Sequence, residues 1–228
     1  GDESILELLH SLEKDEPISF PGVAYQKNGT LTVTGKRKPP EQIDGIPDRN
    51  LVYQYQNRVH YNTIWPQVHA SRGCPHNCDY CALVRHFGRK VRTRSVEDVL
   101  EDIRSSIAFF NSGPFPRLLK GVWITDDNFF ADREWAMEVL HGIIDSGICS
   151  PFTVQARYEV GFDHEMLALL KQAGFFELAL GIEFIDDGDF ETYHKKSTVE
   201  EIKRAIKNIQ SYGLSVRGLF ILGADNNR

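Results

Sequence analysis

The sequence has few cysteines, and they are not spaced like a disulfide framework. It contains four in 228 residues, and three of these lie within eight positions. Small secreted folds held by disulfides have a higher density of cysteines, so that class is excluded. No run is long and apolar enough to form a membrane-spanning helix. The net charge of −6 argues against a general nucleic-acid-binding surface, and we expect no nucleic-acid partner.

What is present is the composition of an ordinary globular chain, with 41% hydrophobic and 25% charged residues. This composition fits one or two domains with a sizeable core. The clustered thiols favour a reducing cytoplasm as the location of the protein. The basic run from Arg85 to Arg94 is a local exception to the negative charge. We interpret this run as a solvated loop with some contacts to neighbouring acids, rather than as a phosphate site.

The first 50 residues are predicted to form a segment distinct from the rest of the chain. Residues 3–13 have the apolar spacing of a short amphipathic helix. Residues 23–27 and 30–34 are predicted to pair as a hairpin, because Asn28-Gly29 between them is a strong turn signal. Prolines and glycines up to residue 50 indicate a linker. We therefore assign residues 1–50 to a helix, hairpin and linker, and residues 51–228 to the main domain.

From about residue 66, predicted strands alternate with amphipathic helices. The strands are predicted at residues 68–71, 121–125, 152–156, 177–182 and 214–222. The helices are predicted to begin at Ser95, Asp132, Asp163 and Thr198, residue types that cap helix N-termini. Five strands and four helices in alternation predict an α/β fold with a parallel sheet and right-handed crossovers.

Polar residues follow the predicted strands at the points where the strands end. A cysteine loop follows the first strand, Asp126 and Asp127 the second, Arg157 the third and Glu183 the fourth. In barrels of parallel strands, the chemistry lies at the C-terminal ends of the strands. The sequence therefore predicts an active site on this face.

The cysteine loop carries Cys74, Cys78 and Cys81, in the spacing C-x3-C-x2-C. Thiolates hold iron–sulfur clusters, usually four to a cluster. Three thiolates on a cluster of four irons leave one iron open to a ligand that is not protein. An open coordination position distinguishes a catalytic metal site from a structural one.

A structural zinc site is the alternative interpretation of the same loop. His76 or His86 could complete the four ligands that such a site needs. The fourth cysteine, Cys149, lies far along the chain, and we expect it to be a small buried residue rather than a ligand.

The cysteine spacing, with the aromatic Tyr80 just before the third cysteine, resembles the radical S-adenosylmethionine (SAM) superfamily. The resemblance extends from about Val68 to the end of the chain. It implies a partial (β/α) barrel with five of the usual six βα units. It also implies that the three cysteines bind a 4Fe–4S cluster whose open iron chelates the methionine part of SAM. The reduced cluster would pass one electron to the sulfonium and release a 5′-deoxyadenosyl radical, while the protein positions both cofactors.

The resemblance also implies contacts to SAM. Tyr80 would lie against the adenine, and Glu183 would accept the ribose hydroxyls. Asp126, Asp127 and Asn128 occupy the position of a Gly-Gly-Glu-like motif that holds the SAM ammonium. This departure from the commonest motif is similar to the subgroup of the superfamily that has a cobalamin-binding domain.

Two basic residues complete the implied SAM site. Lys195 matches a position that pairs with the SAM carboxylate, and Arg157 would reach SAM or the substrate. Each candidate also has a structural interpretation: helix capping for residues 126–128, ion pairing for Arg157 and Glu183, and a solvated surface side chain for Lys195.

The first 50 residues resemble the segment that leads from a cobalamin domain into the barrel in that subgroup. The Asp-x-His-x-x-Gly signature of a corrinoid ligand is absent, so cobalamin would require a domain outside this chain. The chain starts without methionine and stops soon after the apolar run 219–222, so we expect a fragment of a longer protein. The implied partners are a small-molecule or lipid-like substrate and an electron donor such as flavodoxin or ferredoxin. Two other functions stay open: a non-catalytic iron–sulfur or zinc protein, and a sugar- or phosphate-metabolising barrel with incidental cysteines.

Overall fold

The computed structural model describes residues 2–53, 66–112, 121–193 and 195–223. Contacts divide the chain into two compact units, Gly1–Glu41 and Gln42–Arg228. The boundary at residue 50 drawn from the sequence stays a prediction. Within the described ranges, no helix has both the length and the apolar composition needed to cross a bilayer.

The first unit contains a helix and a hairpin, as predicted. Helix α1 is Asp2–Glu13, and strands β1 (Ala24–Lys27) and β2 (Thr30–Val33) pair antiparallel. Asn28 and Gly29 both have positive φ, 52° and 79°, which is the conformation of a type I′ turn. Arg37 pairs with Glu7 of α1.

The second unit contains the remaining described elements. Its strands are β3 (Gln67–Val68), β4 (Ser71–Arg72), β5 (Arg92–Thr93), β6 (Val122–Ile124), β7 (Phe152–Ala156), β8 (Phe175–Glu183) and β9 (Ser215–Phe220). Its helices are α2 (Asn50–Tyr53), α3 (Leu83–Phe87), α4 (Val96–Ser112), α5 (Arg133–Asp145), α6 (His164–Gln172), α7 (Asp187–Thr192) and α8 (Val199–Ser211).

Five strands form one parallel sheet in the order β3-β6-β7-β8-β9. This sheet and the intervening helices confirm the predicted α/β partial barrel. The predicted first strand, residues 68–71, was wrong in extent. The chain leaves the sheet after Val68 and pairs Ser71 and Arg72 antiparallel with β5, so a separate two-stranded ribbon precedes the cysteine loop.

The core lies between the sheet and the helices that connect its strands. Four of the five residues of β7 are buried, which is typical of a parallel strand covered on both faces. Phe152 and Phe175 stack in adjacent strands with their ring centroids 5.2 Å apart. The apolar side chains that α5 packs into this core are Trp135, Val139, Leu140 and Ile143, and all four are buried.

Side chains fix the starts of the helices as their sequences predict. Asp132 accepts a hydrogen bond from the backbone N–H of Trp135, and Asp163 does so from that of Met166. Thr198 forms a reciprocal capping box with Glu201. The C-terminal ends of the strands are therefore followed by helices whose first turns are held in place.

The last part of the predicted linker binds α4. Asp44 accepts a hydrogen bond from the backbone N–H of Ser95, at 2.7 Å. Arg49 and Arg94 both pair with the buried carboxylate of Asp102, at 2.5 and 2.7 Å. Each oxygen of the Asp102 carboxylate pairs with one arginine, and the carboxylate is buried. These ion pairs hold the N-terminal half of α4 beside β3.

Candidate functional site

The three clustered cysteines lie on the loop between β4 and α3, and all three are half-buried. The backbone N–H of Cys74 donates to the carbonyl of Gly88 at 3.4 Å. Gly73 has a φ of 99°, and a Cβ there would lie 2.3 Å from the carbonyl oxygen of Lys90. The loop therefore packs backbone-to-backbone against residues 88–90, and only glycine allows this approach at position 73.

The three thiols are half-buried on one loop. Burial raises the pKa of Cys74, while a backbone hydrogen bond at His76 and the charge of Arg157 oppose the shift. In the part of the chain that the structure describes, no three His, Cys, Asp or Glu side chains converge on a single metal ion. A cluster does not need that convergence, because each thiolate binds a different iron. Cys149 is exposed, so the prediction that it is buried was wrong.

Arg157, at the end of β7, reaches the cysteine loop. A guanidinium N–H lies 3.8 Å from the Sγ of Cys78, and another donates to Glu159 at 2.7 Å. Next to this contact is a cavity of about 270 Å³ between the cysteine loop and the ends of β6 and β7. Its polar lining includes His76, Asn128, Arg133, Arg157 and Glu159.

Asp126, at the end of β6, is fully buried, and both of its oxygens are occupied by the chain itself. One accepts from the backbone N–H of Ala70 at 2.6 Å, and the other from the hydroxyl of Ser71 at 2.5 Å. Burial raises the pKa of Asp126 to about 6, although these hydrogen bonds oppose the shift. The carboxyl group thus ties the second parallel strand to the residues that lead into the cysteine loop.

Asp127 differs from its neighbour. It is half-buried, its Oδ2 is buried, and among the described residues no hydrogen-bond donor reaches that oxygen. Burial raises the pKa of Asp127, and the nearby His86 opposes the shift. A buried carboxylate oxygen without a donor is costly, which suits a site that receives a cation.

The capping interpretation of residues 126–128 was wrong. Asn128 precedes a 3-10 turn at residues 129–131, but its side chain makes no capping hydrogen bond there. Asp132 provides the cap of α5 instead. Asn128 lines the cavity beside the cysteine loop.

Tyr80 lies in an aromatic cluster next to the end of β8. Its ring centroid is 5.7 Å from that of Phe184 and 6.3 Å from that of Tyr193. Phe184 and Tyr193 stack with centroids 5.0 Å apart. Burial raises the pKa of Tyr80, and the charges of Glu183 and Cys78 add to the increase. This cluster supplies flat apolar surface beside the third cysteine.

Glu183 ends β8 in a backbone conformation that side chains rarely adopt, with a φ of 71° and a break in register with β9. Lys195 is buried and donates to the carbonyl of Gly181 at 2.6 Å, with its Nζ 3.7 Å from a carboxylate oxygen of Glu183. Burial lowers the pKa of Lys195, and Glu183 opposes the change. The interpretation of Lys195 as a solvated lysine was therefore wrong.

The structure brings most candidates to one edge of the sheet and adds residues that the sequence did not single out. Ser71, Phe184 and Tyr193 were missed. Ser71 directly precedes the cysteine loop, and this position in the sequence could have identified it as a residue that supports the site. Phe184 and Tyr193 flank α7, a six-residue helix whose sequence has no clear apolar period.

Comparisons with known proteins give a consistent result. The profile of the Radical SAM superfamily matches residues 68–227. The chain is 27% identical over 208 residues to a hopanoid C-3 methylase of Methylococcus capsulatus, covering 88% of this chain and 38% of that protein. It is 23% identical over 234 residues to an anaerobic magnesium-protoporphyrin IX monomethyl ester cyclase of Rubrivivax gelatinosus, covering 99% and 41%.

A solved structure shares the fold. It is the radical SAM methyltransferase TsrM from Kitasatospora setae with cobalamin and a 4Fe–4S cluster bound, with a TM-score of 0.75 at 16% identity. The match covers 98% of this chain and 46% of that one. The chain thus spans less than half the length of each of these proteins.

Proposed function

The chain belongs to the Radical SAM superfamily, and from this premise we propose that it is the part of a larger enzyme in which SAM is cleaved reductively. One observation carries the proposal. At one edge of a parallel sheet lie three thiols that are not bonded to each other and a buried carboxylate oxygen of Asp127 that no donor among the described residues reaches. Three thiols are suited to bind an iron–sulfur cluster, and the carboxylate oxygen is suited to accept the ammonium of SAM.

We assign Cys74, Cys78 and Cys81 to the cluster. A 4Fe–4S cluster held by these thiolates would supply the single electron that reductive cleavage of SAM requires. Arg157 faces Cys78, with a guanidinium nitrogen 3.8 Å from its Sγ, so a positive charge lies beside the proposed ligand set. Gly73 holds the loop against residues 88–90 and so fixes the positions of the sulfurs.

Asp127, rather than Asp126, is proposed to receive the SAM ammonium. Asp126 has no exposed surface, and its two oxygens already accept hydrogen bonds from Ala70 and Ser71, so a ligand could reach it only if the surrounding residues moved. Asp127 has an oxygen to offer, and accepting a cation would relieve the cost of its burial. Asn128 then faces the cavity and is proposed to contact SAM or the substrate.

The end of β8 is proposed to hold the nucleoside half of SAM. Tyr80 and its aromatic neighbours offer a surface for adenine, and Glu183 offers a carboxylate to the two ribose hydroxyls. Lys195 already binds the carbonyl of Gly181, so its main proposed role is to hold the end of the strand. A direct contact between Lys195 and the SAM carboxylate stays a prediction.

The net reaction of the larger enzyme is proposed to be a cobalamin-linked methyl transfer or a rearrangement. Methylases and a cyclase among the relatives support this range. Cobalamin would be held by a domain outside the chain, and the substrate would be a small or lipid-like molecule. A reducing cytoplasm, where thiols remain free, is the proposed location, and a flavodoxin or ferredoxin the proposed electron donor.

Anaerobic reconstitution tests the proposed function. The chain would be treated with iron and sulfide, then given SAM and a strong reductant, and 5′-deoxyadenosine and methionine would be quantified. We expect both products in equal amounts. A reconstituted, reduced protein that leaves SAM intact would contradict the proposal.

Glu183 offers a test of the SAM assignment. Replacing it with alanine should weaken SAM binding by about 1–3 kcal/mol, the usual cost of losing a charge-assisted hydrogen bond. Calorimetric titration of the reconstituted protein with SAM would measure the change. Glu183→Gln keeps the shape of the side chain and removes its charge, so it should lose affinity in the same direction.

Glu138→Ala is the matched control, because Glu138 is exposed in the middle of α5. It should bind SAM as the wild-type chain does. Equal affinity in the wild-type and both Glu183 variants would rule out the ribose contact.

A further inference from the structure

Arg157 and Glu159 form an ion pair beside the cysteine loop. The Nε and Nη2 atoms of Arg157 donate to the carboxylate of Glu159, at 3.1 and 2.7 Å. The remaining nitrogen, Nη1, lies 3.8 Å from the Sγ of Cys78. The Arg157 side chain is 19% exposed, so water screens its charge little. The guanidinium therefore contacts both an acid and a proposed cluster ligand.

The turn that carries Glu159 is held against α8. Tyr158–Phe162 form a 3-10 turn shortly after β7. A Cβ at Gly161 would lie 2.6 Å from the carbonyl oxygen of Ala205, so a larger residue there would push the turn away from α8. Asn208 also donates to the carbonyl of Gly161, at 3.0 Å. These contacts fix the backbone on which the ion pair is built.

The positive charge of Arg157 acts on more than one thiol. Burial raises the pKa of Cys74, and the charge of Arg157 opposes this shift. Lys195 is another buried cation at this end of the sheet, but it donates to the carbonyl of Gly181 at 2.6 Å and lies 3.7 Å from Glu183. Its charge is therefore balanced by the acid at the end of β8, whereas one nitrogen of Arg157 lies beside a cysteine sulfur.

A positive charge beside a ligand sulfur favours the reduced state of an iron–sulfur cluster, because reduction adds one negative charge. The net charge and the hydrogen bonds to the sulfurs are among the factors that set the reduction potential. We infer that Arg157 raises the reduction potential of the cluster proposed at the three cysteines. Glu159 is the positioning residue, because it holds the guanidinium beside Cys78 and offsets part of its charge. The inference rests on the proposed function for the cluster, and it gives Arg157 a role that requires no contact with SAM.

The inference predicts opposite effects for the two members of the pair. Arg157→Gln removes the positive charge, so at a fixed potential the ratio of reduced to oxidised cluster should fall about tenfold. Glu159→Gln keeps an oxygen that accepts from the guanidinium and removes the negative charge. The ratio should therefore rise, by about threefold, because the Glu159 side chain is 45% exposed and better screened. Arg157→Lys keeps the charge as a single ammonium and should stay within about threefold of the wild type.

A redox titration of the reconstituted chain without SAM measures these ratios. Each chain would be reduced anaerobically by photoreduced deazaflavin with redox mediators, one electron per cluster. The reduced form would be quantified by its electron paramagnetic resonance signal. Arg133→Gln is the matched control, because Arg133 lines the same cavity as Arg157 and its guanidinium pairs with Asp163 and Glu165. This variant should titrate as the wild-type chain does.

Calorimetric titration with SAM separates this role from a direct contact between Arg157 and SAM. Such a contact would change the SAM affinity of the oxidised, reconstituted chain, but it cannot shift a ratio that is measured without SAM. We expect the shift without SAM in Arg157→Gln, whatever its affinity for SAM. The opposite signs separate an electrostatic role from a structural one, because a loosened loop would move Arg157→Gln and Glu159→Gln in the same direction.

Two results would overturn the inference. The first is an equal ratio in the wild type and Arg157→Gln without SAM, which would leave the guanidinium a role toward SAM alone. The second is a shift of Arg157→Gln and Glu159→Gln in the same direction, which would assign the pair to loop structure. If Arg157→Gln retains no cluster, Glu159→Gln decides, and an unshifted ratio there overturns the inference. The proposed function is tested separately, because the reduced wild-type chain should cleave SAM whatever ratios the variants show.

Discussion

Replacing Cys78 with alanine is expected to abolish the iron–sulfur cluster. Three thiolates are the proposed ligand set, and the loop carries no fourth cysteine that could substitute for a lost one. The same result is expected for Cys74→Ala and Cys81→Ala. Iron and sulfide analysis after anaerobic reconstitution would measure it, with a fall from about four irons per chain to a background level.

Cys149→Ala is the matched control for these variants. Cys149 is exposed and follows α5 in the sequence, far from the cysteine loop along the chain. Its replacement should leave the iron content unchanged. Stoichiometric zinc without iron in anaerobically prepared wild-type protein would reject the cluster and favour the structural metal site. Circular dichroism of each variant separates loss of the cluster from loss of the fold.

Replacing Asp126 with alanine is expected to destabilise the fold and to loosen the cysteine loop. The variant leaves two buried donors, the N–H of Ala70 and the hydroxyl of Ser71, without their acceptor. At about 1–3 kcal/mol for each unsatisfied group, the free energy of unfolding should fall by about 2–6 kcal/mol. Urea unfolding of the cluster-free chain would measure the change, and iron retention would report on the loop.

Asp145→Ala, at the exposed end of α5, should change the free energy of unfolding by little. Asp126→Asn adds a test by pH. Because the pKa of Asp126 is raised, the native state binds the proton more tightly, and this contribution is lost as the pH rises through about 6. Wild-type stability relative to Asp126→Asn should therefore increase as the pH falls from about 7 to 5. Equal stability of the wild type and Asp126→Ala would refute the structural role of this carboxylate.

The sequence was sufficient to predict the larger elements, because their signals are local. The apolar period of α5 and the capping residues Asp132, Asp163 and Thr198 predicted helix positions that the structure confirms. The first strand was different. The chain leaves the sheet after Val68 because residues 71–72 pair with residues 92–93, about twenty positions away. Strands of two residues are too short to show the alternation of side chains by which a strand is recognised in a sequence.

At the site, residue types were predictable and their partners were not. Adjacent aspartates at a strand end look alike in sequence. Asp126 nevertheless accepts a hydrogen bond from the backbone before the cysteine loop, while Asp127 has a buried oxygen that no donor in the described part of the chain reaches. Lys195 stands beside another lysine and looks solvated. Its burial depends on the carbonyl of Gly181 and the ring of Phe190, and the polar sequence around Lys195 does not indicate these contacts.

At Glu183, the backbone conformation and the use of the side chain favour different residues. Holding a side chain other than glycine at a φ of 71° costs about 1–3 kcal/mol, and the neighbouring contacts of Lys195 and Ile221 hold the chain there. A glycine would relieve that strain, yet it would lack the carboxylate proposed to meet the ribose. Relief of backbone strain therefore favours glycine at this position, while the ion pair with buried Lys195 and the proposed ribose contact favour glutamate.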